Sequence, residues 1–469
     1  MSVDFSSSVR SGPLSRTQET LWNLAQTVPG AALNIATAVA FRGPLDPEAF
    51  AEAFYRVLTR HEPLRSRYGL VDGELRAMVQ PPAHHGFHRY DLERASVGQL
   101  STQLGRLVSW HCSQAFDLER DRPIRSALVR VASDRWAWLM GMHHICTDGW
   151  SLMVLCKDLS LLYRGLASGE PCPLAPLDAQ CIEVAAWQRR WRAGSEAAAQ
   201  LEWWRGYLDR PPIAPLELPE VGAASPTLRV PMSLKTRRLP DSLARRLERV
   251  RIRERSSTYL LCLSALKLLL SRWCRQQDIL VATLMANRIH PLSGSVLGAH
   301  YNTVLVRTRL DGDPTARDLL RRVTASCTEV FERQGVPFPD VAAMVESELG
   351  LESRSLLRVM FMHDEPPRRH LDLGGVAIHD LDWSEEGLRR LRDEPLPEPA
   401  GDRPDLVTRN TMATAAELAF YVREDREHLE LWIFYKTDLL PDTTAEWFLD
   451  SYLAILDGLI GHLEEESEG

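Results

Sequence analysis

The sequence predicts an α+β protein of two or three domains. Helical 3.6-residue patterns and strand–turn–strand patterns mix irregularly in both halves, which suits antiparallel sheets with packed helices better than a regular βαβ series. The chain has 469 residues, too many for one ordinary hydrophobic core. Two proline-rich stretches interrupt the periodicity. Pro171–Pro176 reads as a linker and divides the chain into 1–176 and 177–469, and Pro211–Pro231 reads as an extended crossing between domains.

Leu45–His61 predicts a helix: Asp46 can cap it, Pro47 suits its first turn, and Phe50, Ala53, Phe54, Val57 and Leu58 form one apolar stripe. Pro63 ends it. Leu64–Tyr68 and Leu75–Val79 read as strands joined by an Asp72-Gly73 hairpin turn. Val97–Phe116 predicts a helix. Ile124–Val131 and Trp136–Met142 predict strands about a Ser133-Asp134 turn, and Trp150–Tyr163 a further helix. Glu183–Tyr207 reads as one Trp-rich helix. Beyond the crossing, helices are expected at Asp241–Arg253, Tyr259–Cys274 and Thr443–Leu463. Strands are expected at Ile279–Met285, Thr303–Leu310, Leu357–His363, Glu417–Arg423 and Leu429–Lys436. The charged, proline-rich stretch Glu385–Asp405 reads as a mobile loop.

Composition narrows the function. Apolar residues make up 45% and charged residues 25%, as in ordinary globular proteins. A net charge of −8, with no long Lys/Arg run, argues against nucleic-acid binding. The strongest apolar run, Tyr259–Leu270, is interrupted by Lys267 and is too short to span a bilayer, so a buried helix is expected rather than a membrane partner. Met1–Gly12 lacks the apolar core of a secretory signal. The eight Cys include no Cys-x-x-Cys, and buried thiols in a reducing cytoplasm are expected.

The segment His143-His144-Ile145-Cys146-Thr147-Asp148-Gly149 falls on a tight strand-to-helix connection, where catalytic side chains are often presented. Adjacent side chains on an extended backbone point apart, so one imidazole can face a substrate and the other the scaffold. A neutral imidazole suits a general base for an amine or hydroxyl nucleophile. Gly149 permits close approach of its N–H to a ligand. Asp148 could orient an imidazole, cap the next helix or pair with an Arg. A metal held by His143, His144 and Asp148 is a further reading, but no second ligand cluster of matching spacing accompanies it. A second pair, His84-His85 with His88 nearby, lacks the Asp-Gly and reads as a solvated loop.

These residues resemble the His-His-x-x-x-Asp-Gly signature of the condensation domains of nonribosomal peptide synthetases. Similar motifs follow in the family's order. Leu14-Ser15-Arg16-Thr17-Gln18-Glu19-Thr20-Leu21-Trp22 resembles the opening motif, and Arg60-His61-Glu62-Pro63-Leu64-Arg65 the second. Trp187-Gln188 matches the end of the fourth, Leu297-Gly298-Ala299-His300-Tyr301-Asn302-Thr303 the fifth, and Gln334-Gly335-Val336-Pro337-Phe338 the sixth. The sequence departs at Arg333, where the family often has His, at Gly335, where it often has an acidic residue, and at Glu352-Ser353-Arg354-Ser355, a partial match to the seventh motif.

The resemblance implies two lobes, each similar to chloramphenicol acetyltransferase, in a V-shaped pseudo-dimer with a tunnel between them. It implies a donor acyl or peptidyl carrier protein whose phosphopantetheine arm tethers the substrate, and as acceptor a small molecule or a second carrier protein. It implies no metal and no permanently bound cofactor. His144 becomes the base or positioning group, and Gly149 lies near the reacting carbonyl. His143 becomes structural, and Asp148 a scaffold ion pair with Arg288. Trp150, Tyr301 and Asn302 become tunnel residues. The sequence carries no adenylation or carrier domain, so a free-standing condensation enzyme of natural-product biosynthesis, forming an amide or ester, is expected. The alternatives are a coenzyme A-dependent O-acyltransferase of the same superfamily, an epimerisation-type relative, and a non-catalytic carrier-binding module.

Overall fold

A computed structural model describes residues 10–28, 30–172, 174–219, 232–364, 367–381, 388, 389, 391, 392, 416–424 and 428–466. In chain order the first elements are β1 (Ser11–Pro13), α1 (Arg16–Thr27), β2 (Asn34–Arg42), α2 (Pro47–Arg60), β3 (Ser66–Val71), β4 (Glu74–Val79), β5 (Phe87–Asp91), α3 (Val97–His111), β6 (Ile124–Ala132), β7 (Arg135–His143), α4 (Gly149–Ser168) and α5 (Cys181–Arg192). Then come α6 (Ser195–Asp209), β8 (Met232–Arg238), α7 (Asp241–Arg253), α8 (Thr258–Cys274), β9 (Asp278–Met285), β10 (Asn302–Arg309), α9 (Ala316–Phe331), α10 (Phe338–Met344), β11 (Val359–Asp364), β12 (Ala377–Asp380), β13 (Leu418–Glu424), β14 (Leu429–Lys436) and α11 (Asp442–Glu465).

The chain forms two compact units. Taking described residues, the first comprises those of 1–191, 288–301 and 367–411, and the second those of 192–287, 302–366 and 412–469. The first unit therefore passes the boundary expected at 176/177. The chain beyond the 171–176 stretch still packs on the first unit: Cys181 and Ile182 are buried, and Gln180 donates to the Arg60 carbonyl at 2.9 Å.

In the first unit a five-stranded sheet runs β12-β2-β7-β6-β5, and a three-stranded sheet runs β1-β4-β3. The larger sheet is sorted by side-chain size. Its strands have period-2 alternation. Ile35, Val39, Phe41, Trp138, Met140 and Leu128 face one way, into a core with Phe50 and Phe54 of α2 and Leu155 and Leu159 of α4. Ala36, Ala38, Ala40, Ala127 and Ala137 face the other, where Leu100 and Leu104 of α3 pack closely. The closest approach is at Gly141, where an added Cβ would sit 2.1 Å from the His111 carbonyl oxygen. The end of α3 thus rests on backbone just before the His pair. Asn34 donates its side-chain amide to the carbonyls of Cys112 (3.3 Å) and Gln114 (2.9 Å). These bonds turn the chain away, so α3 ends at His111 rather than at the expected Phe116.

The hairpin reads as expected, with Asp72 at φ 50° and Gly73 at φ 80°. His88 lies in β5, paired in parallel with β6, and so is not in a loop.

The second unit has one six-stranded sheet, β10-β9-β11-β13-β14-β8, with β11 parallel to both β9 and β13. Helix α8 is buried along most of its length. Lys267 does not break it: the ammonium donates to the carbonyls of Ile279 (3.1 Å) and Val306 (2.7 Å), and burial pushes its pKa down to about 7. The expected Trp-rich helix is two, α5 and α6, with Gly194 at the N-cap of α6. Of the expected mobile loop Glu385–Asp405, only residues 388, 389, 391 and 392 are among those described; residues 220–231 of the crossing also lie outside them. Among the described residues no helix is long and apolar enough to cross a membrane. Seven of the eight cysteines are buried and Cys172 is partly exposed; all are free thiols.

Gly141→Ala forces a backbone displacement at the end of β7, whereas a Cβ at Gly149 would meet nothing within 4 Å. Thermal unfolding should show Gly141→Ala melting several degrees below the parent, at a cost of ~1–3 kcal/mol or more. Gly149→Ala should melt within about a degree of the parent. Equal melting temperatures for both variants would contradict this packing.

Candidate active site

Strand β7 delivers the motif. His143 is its last residue, paired with Asn34, and its N–H donates to the Pro123 carbonyl at 3.0 Å. The chain then makes a short 3-10 turn, His144–Cys146, before Asp148 caps α4. His144 N–H donates to the Leu33 carbonyl at 2.8 Å.

The two imidazoles are held differently. His143 accepts the Ile145 N–H on Nδ1 at 3.1 Å, and its ring meets Phe116 edge-on at 6.5 Å. Burial, with His144 alongside, pushes its pKa down to about 3. It is a neutral strut. His144 directs Nδ1 at the Thr147 carbonyl at 2.7 Å. A carbonyl oxygen only accepts, so Nδ1 carries the proton and Nε2 carries the lone pair. Burial lowers the pKa of His144, and the Thr147 carbonyl and Asp148 only partly oppose it. The ring is therefore neutral at pH 7. The Tyr301 ring lies over it, with centroids 4.8 Å apart and planes 35° apart.

Asp148 is the hub. Its Oδ1 accepts from the Ser151 N–H (2.8 Å), the Ser151 hydroxyl (2.7 Å) and Arg288 Nη2 (2.6 Å). Its Oδ2 accepts the His300 N–H at 3.0 Å. Burial alone would raise its pKa; Arg288 and these hydrogen bonds overcome that and hold the carboxyl below its ordinary range. Cap and ion pair are thus the same group. Arg288 also donates Nη1 to the carbonyls of Val296 (2.6 Å) and Ser293 (3.2 Å). Among the described residues no group of three His, Cys, Asp or Glu is placed to hold a metal ion.

The opening motif holds the turn from the other side. Ser15 and Gln18 form a reciprocal capping box at the start of α1. Gln18 Nε2 donates to the Ile145 carbonyl at 2.9 Å. Ser15 Oγ donates to the Ala299 carbonyl at 3.2 Å, and Thr17 Oγ1 to the Tyr301 carbonyl at 2.9 Å. One helix start therefore fixes both the His turn and the 299–301 segment. Burial pushes the Cys146 thiol far up, which removes it as a thiolate nucleophile.

Of the residues singled out in the sequence, His143, His144, Asp148, Gly149, Trp150, Arg288 and Tyr301 all belong to the first unit. Gly149 and Trp150 are exposed; Trp150 donates Nε1 to the Gly294 carbonyl at 2.8 Å. Asn302 was expected to line the tunnel. It belongs to the second unit and is buried, with Nδ2 donating to the carbonyls of Gln334 (2.8 Å) and Val336 (2.7 Å) and Oδ1 accepting the Phe338 N–H (2.8 Å). Its amide braces the loop before α10. Sequence reading missed Ser151, and named Gln18 and His300 only as members of the opening and fifth motifs, without these contacts. Ser151 follows Asp148 by three residues, the position an N-cap side chain reaches, and Ser15-x-x-Gln18 has the capping-box spacing; these signals could have found both.

The family model for the condensation domain matches residues 10–468. This chain is a member of the condensation-domain family. Malpinin synthetase of Mortierella alpina is 31% identical over 375 residues, covering 79% of this chain and 5% of the relative. Phosphinothricin tripeptide synthetase PhsB of Streptomyces viridochromogenes is 31% identical over 367 residues, 77% of this chain and 30% of the relative. The condensation domain thus spans a small part of the curated relatives it matches. Among solved structures, SgcC5 from Streptomyces globisporus aligns with a TM-score of 0.71 at 22% identity, covering 96% of this chain and 98% of that one. The condensation domain of the polyketide synthase MokA aligns at 0.76 and 18%, covering 97% and 98%. The fold is the two-lobe, chloramphenicol acetyltransferase-like fold of condensation domains, and membership supports an acyl-transfer role of nonribosomal-peptide-synthetase type.

Two predictions test the site's electrostatics. Asp148→Ala leaves the Arg288 guanidinium buried without its carboxylate, and Arg288→Ala does the converse. Each should destabilise by ~3–5 kcal/mol in urea titrations, and the double variant by less than their sum. The buried imidazoles fix a pH dependence. His143 and His300 titrate at about 3 when folded, and near ~6.5 when unfolded. As pH falls below 6.5 the unfolded chain binds protons first, so stability is complete above that value and declines towards pH 3. Urea midpoints measured from pH 7.5 to 4.5 should fall accordingly; a flat profile would contradict the neutral buried rings.

Proposed function

We propose that this condensation domain moves an acyl or aminoacyl group from the phosphopantetheinyl thioester of a carrier protein to an amine or hydroxyl acceptor, forming an amide or ester. The observation that carries this reading is the tautomer of His144. The Thr147 carbonyl fixes the proton on Nδ1 and leaves the Nε2 lone pair as the ring's only base. In the proposed step Nε2 takes the proton of the acceptor N–H or O–H as that atom bonds to the thioester carbon. The tetrahedral alkoxide collapses, the C–S bond breaks, and the proton on Nε2 passes to the departing thiolate. Charge and protons balance, and the ring returns to its starting tautomer.

Several features support the assignment. A thioester is already activated, so orientation of the two reactants supplies much of the acceleration, up to ~7–11 kcal/mol in favourable cases. A lowered His144 pKa keeps the base unprotonated at neutral pH, and the overlying Tyr301 ring holds the imidazole plane. Open space above Gly149, at the N-terminus of α4, leaves room for the reacting carbonyl near N–H groups that favour negative charge. The donor and acceptor carrier proteins are partners carried over from the family.

The test is transfer from acyl-loaded carrier proteins to a panel of amines and alcohols, followed by mass spectrometry. His144→Ala should lower kcat by ~10²–10⁴-fold while the circular dichroism spectrum stays native. The wild-type rate should rise with pH through a single ionisation below 6.5 and then level off. Near-parental turnover by His144→Ala would sink the assigned role. Equal rates from a carrier-bound donor and from free acyl-coenzyme A would sink the carrier requirement.

A further inference from the structure

The second histidine pair acquires a different meaning in the fold. The His84 ring stacks on Tyr55 at 3.8 Å. His85, half-buried, sits among guanidinium groups. Arg65 ends the turn before β3, Arg67 lies on β3, and Arg122 lies just before β6. Arg122 contacts His85 Nδ1 and donates Nη2 to the Pro81 carbonyl at 3.2 Å; Arg65 donates to the Gln80 carbonyl.

Balancing acids are scarce. Glu62 is shared between Arg10 and Arg65, and Arg10 also holds Glu183. Asp121 is taken by Arg125 at 3.0 Å. Glu119 rests against Gly69 on β3. Among the described residues Arg67 and Arg122 form no ion pair. His85 turns its ring nitrogens to the backbone about Ala83 and Leu64, whereas the Nε atoms of Arg65 and Arg67 have no hydrogen-bond partner. Buried cations ordinarily have a counter-charge, so two guanidinium groups without a carboxylate, close to a third that shares its own, mark this patch. Burial followed by Arg67 and Arg65 lowers the pKa of Arg122, and no acid acts against them.

We propose that Arg65, Arg67, Arg122 and His85 form a binding site for a phosphoryl group. Planar guanidinium forks bind the oxygens of a tetrahedral phosphate in pairs, and such charge-assisted bonds are strong. A phosphate supplies the missing negative charge. The group could arrive as a free phosphate or phosphorylated metabolite, or as the phosphate of a pantetheine arm. The site stands apart from the acyl-transfer reading and does not rest on it.

Isothermal titration at constant ionic strength decides the matter, with the whole chain and three probes: inorganic phosphate, 4′-phosphopantetheine and unphosphorylated pantetheine. Saturable binding of the two phosphorylated probes but not of pantetheine is expected. Arg67→Gln and Arg122→Gln, each checked for native melting, should weaken it by about tenfold or more, and Arg67→Lys by less. Equal affinity for both phosphorylated probes assigns the site to a free anion; much tighter binding of phosphopantetheine assigns it to the arm. No saturable phosphate binding by the wild type overturns the proposal. So does binding that neither Gln variant weakens.

Discussion

The carboxylate of Asp148 is the interaction on which the active site depends. It is a buried charge at the junction of a strand, a turn and a helix, and each of its bonds ties down a different piece of chain. One oxygen caps α4 through Ser151 and meets Arg288; the other takes a backbone N–H from His300. A buried ion pair is weak evidence of net stability, because desolvation offsets most of the attraction. Its value here is in specifying position. Without it the 288–301 segment, which supplies the ring over His144, loses its anchor on the motif. The pair is therefore a positioning device for the imidazole, acting through Arg288 and the backbone about Gly298.

The surrounding scaffold works to the same end. Large side chains on one face of the five-stranded sheet pack against α2 and α4. Alanines on the other face let α3 press against the backbone at Gly141. The His turn is thus fixed by the sheet through the Leu33 and Pro123 carbonyls and by α1 through Gln18. His143 contributes by staying neutral; a charged ring at that depth would lack both solvent and a counterion. The two histidines share a motif but are held in opposite senses, and the difference arises from what each Nδ1 meets: a backbone N–H at His143 and a backbone carbonyl at His144.

Much of this was legible in the sequence. Amphipathic helices such as α2 and α7 were found within a residue or two of their ends, because an apolar stripe is a local signal, joined at α2 by the Asp46 cap. The β3–β4 hairpin was legible through Asp72-Gly73. The His-His-x-x-x-Asp-Gly turn and its Arg288 partner were legible through resemblance to the family. What was not legible depended on contacts distant in sequence. Strand β2 is rich in alanine and buried on both faces, so it shows no alternation of apolar and polar residues. The end of α3 is set by Asn34, over seventy residues earlier. The bracing of the loop before α10 by the Asn302 amide joins residues more than thirty apart and leaves no local signal. The His84-His85 pair looked like loop composition because its Arg neighbours come from two separate segments, 65–67 and 122.

The burial of the thiols has a practical consequence. Seven of the eight sulfhydryls are inaccessible, and desolvation keeps the buried ones protonated, so alkylating reagents find only Cys172 within reach. Replacing that one residue gives a chemically silent background. A single engineered surface cysteine could then carry a fluorophore or spin label, and distances within either unit could be followed during turnover without disturbing the native sulfurs.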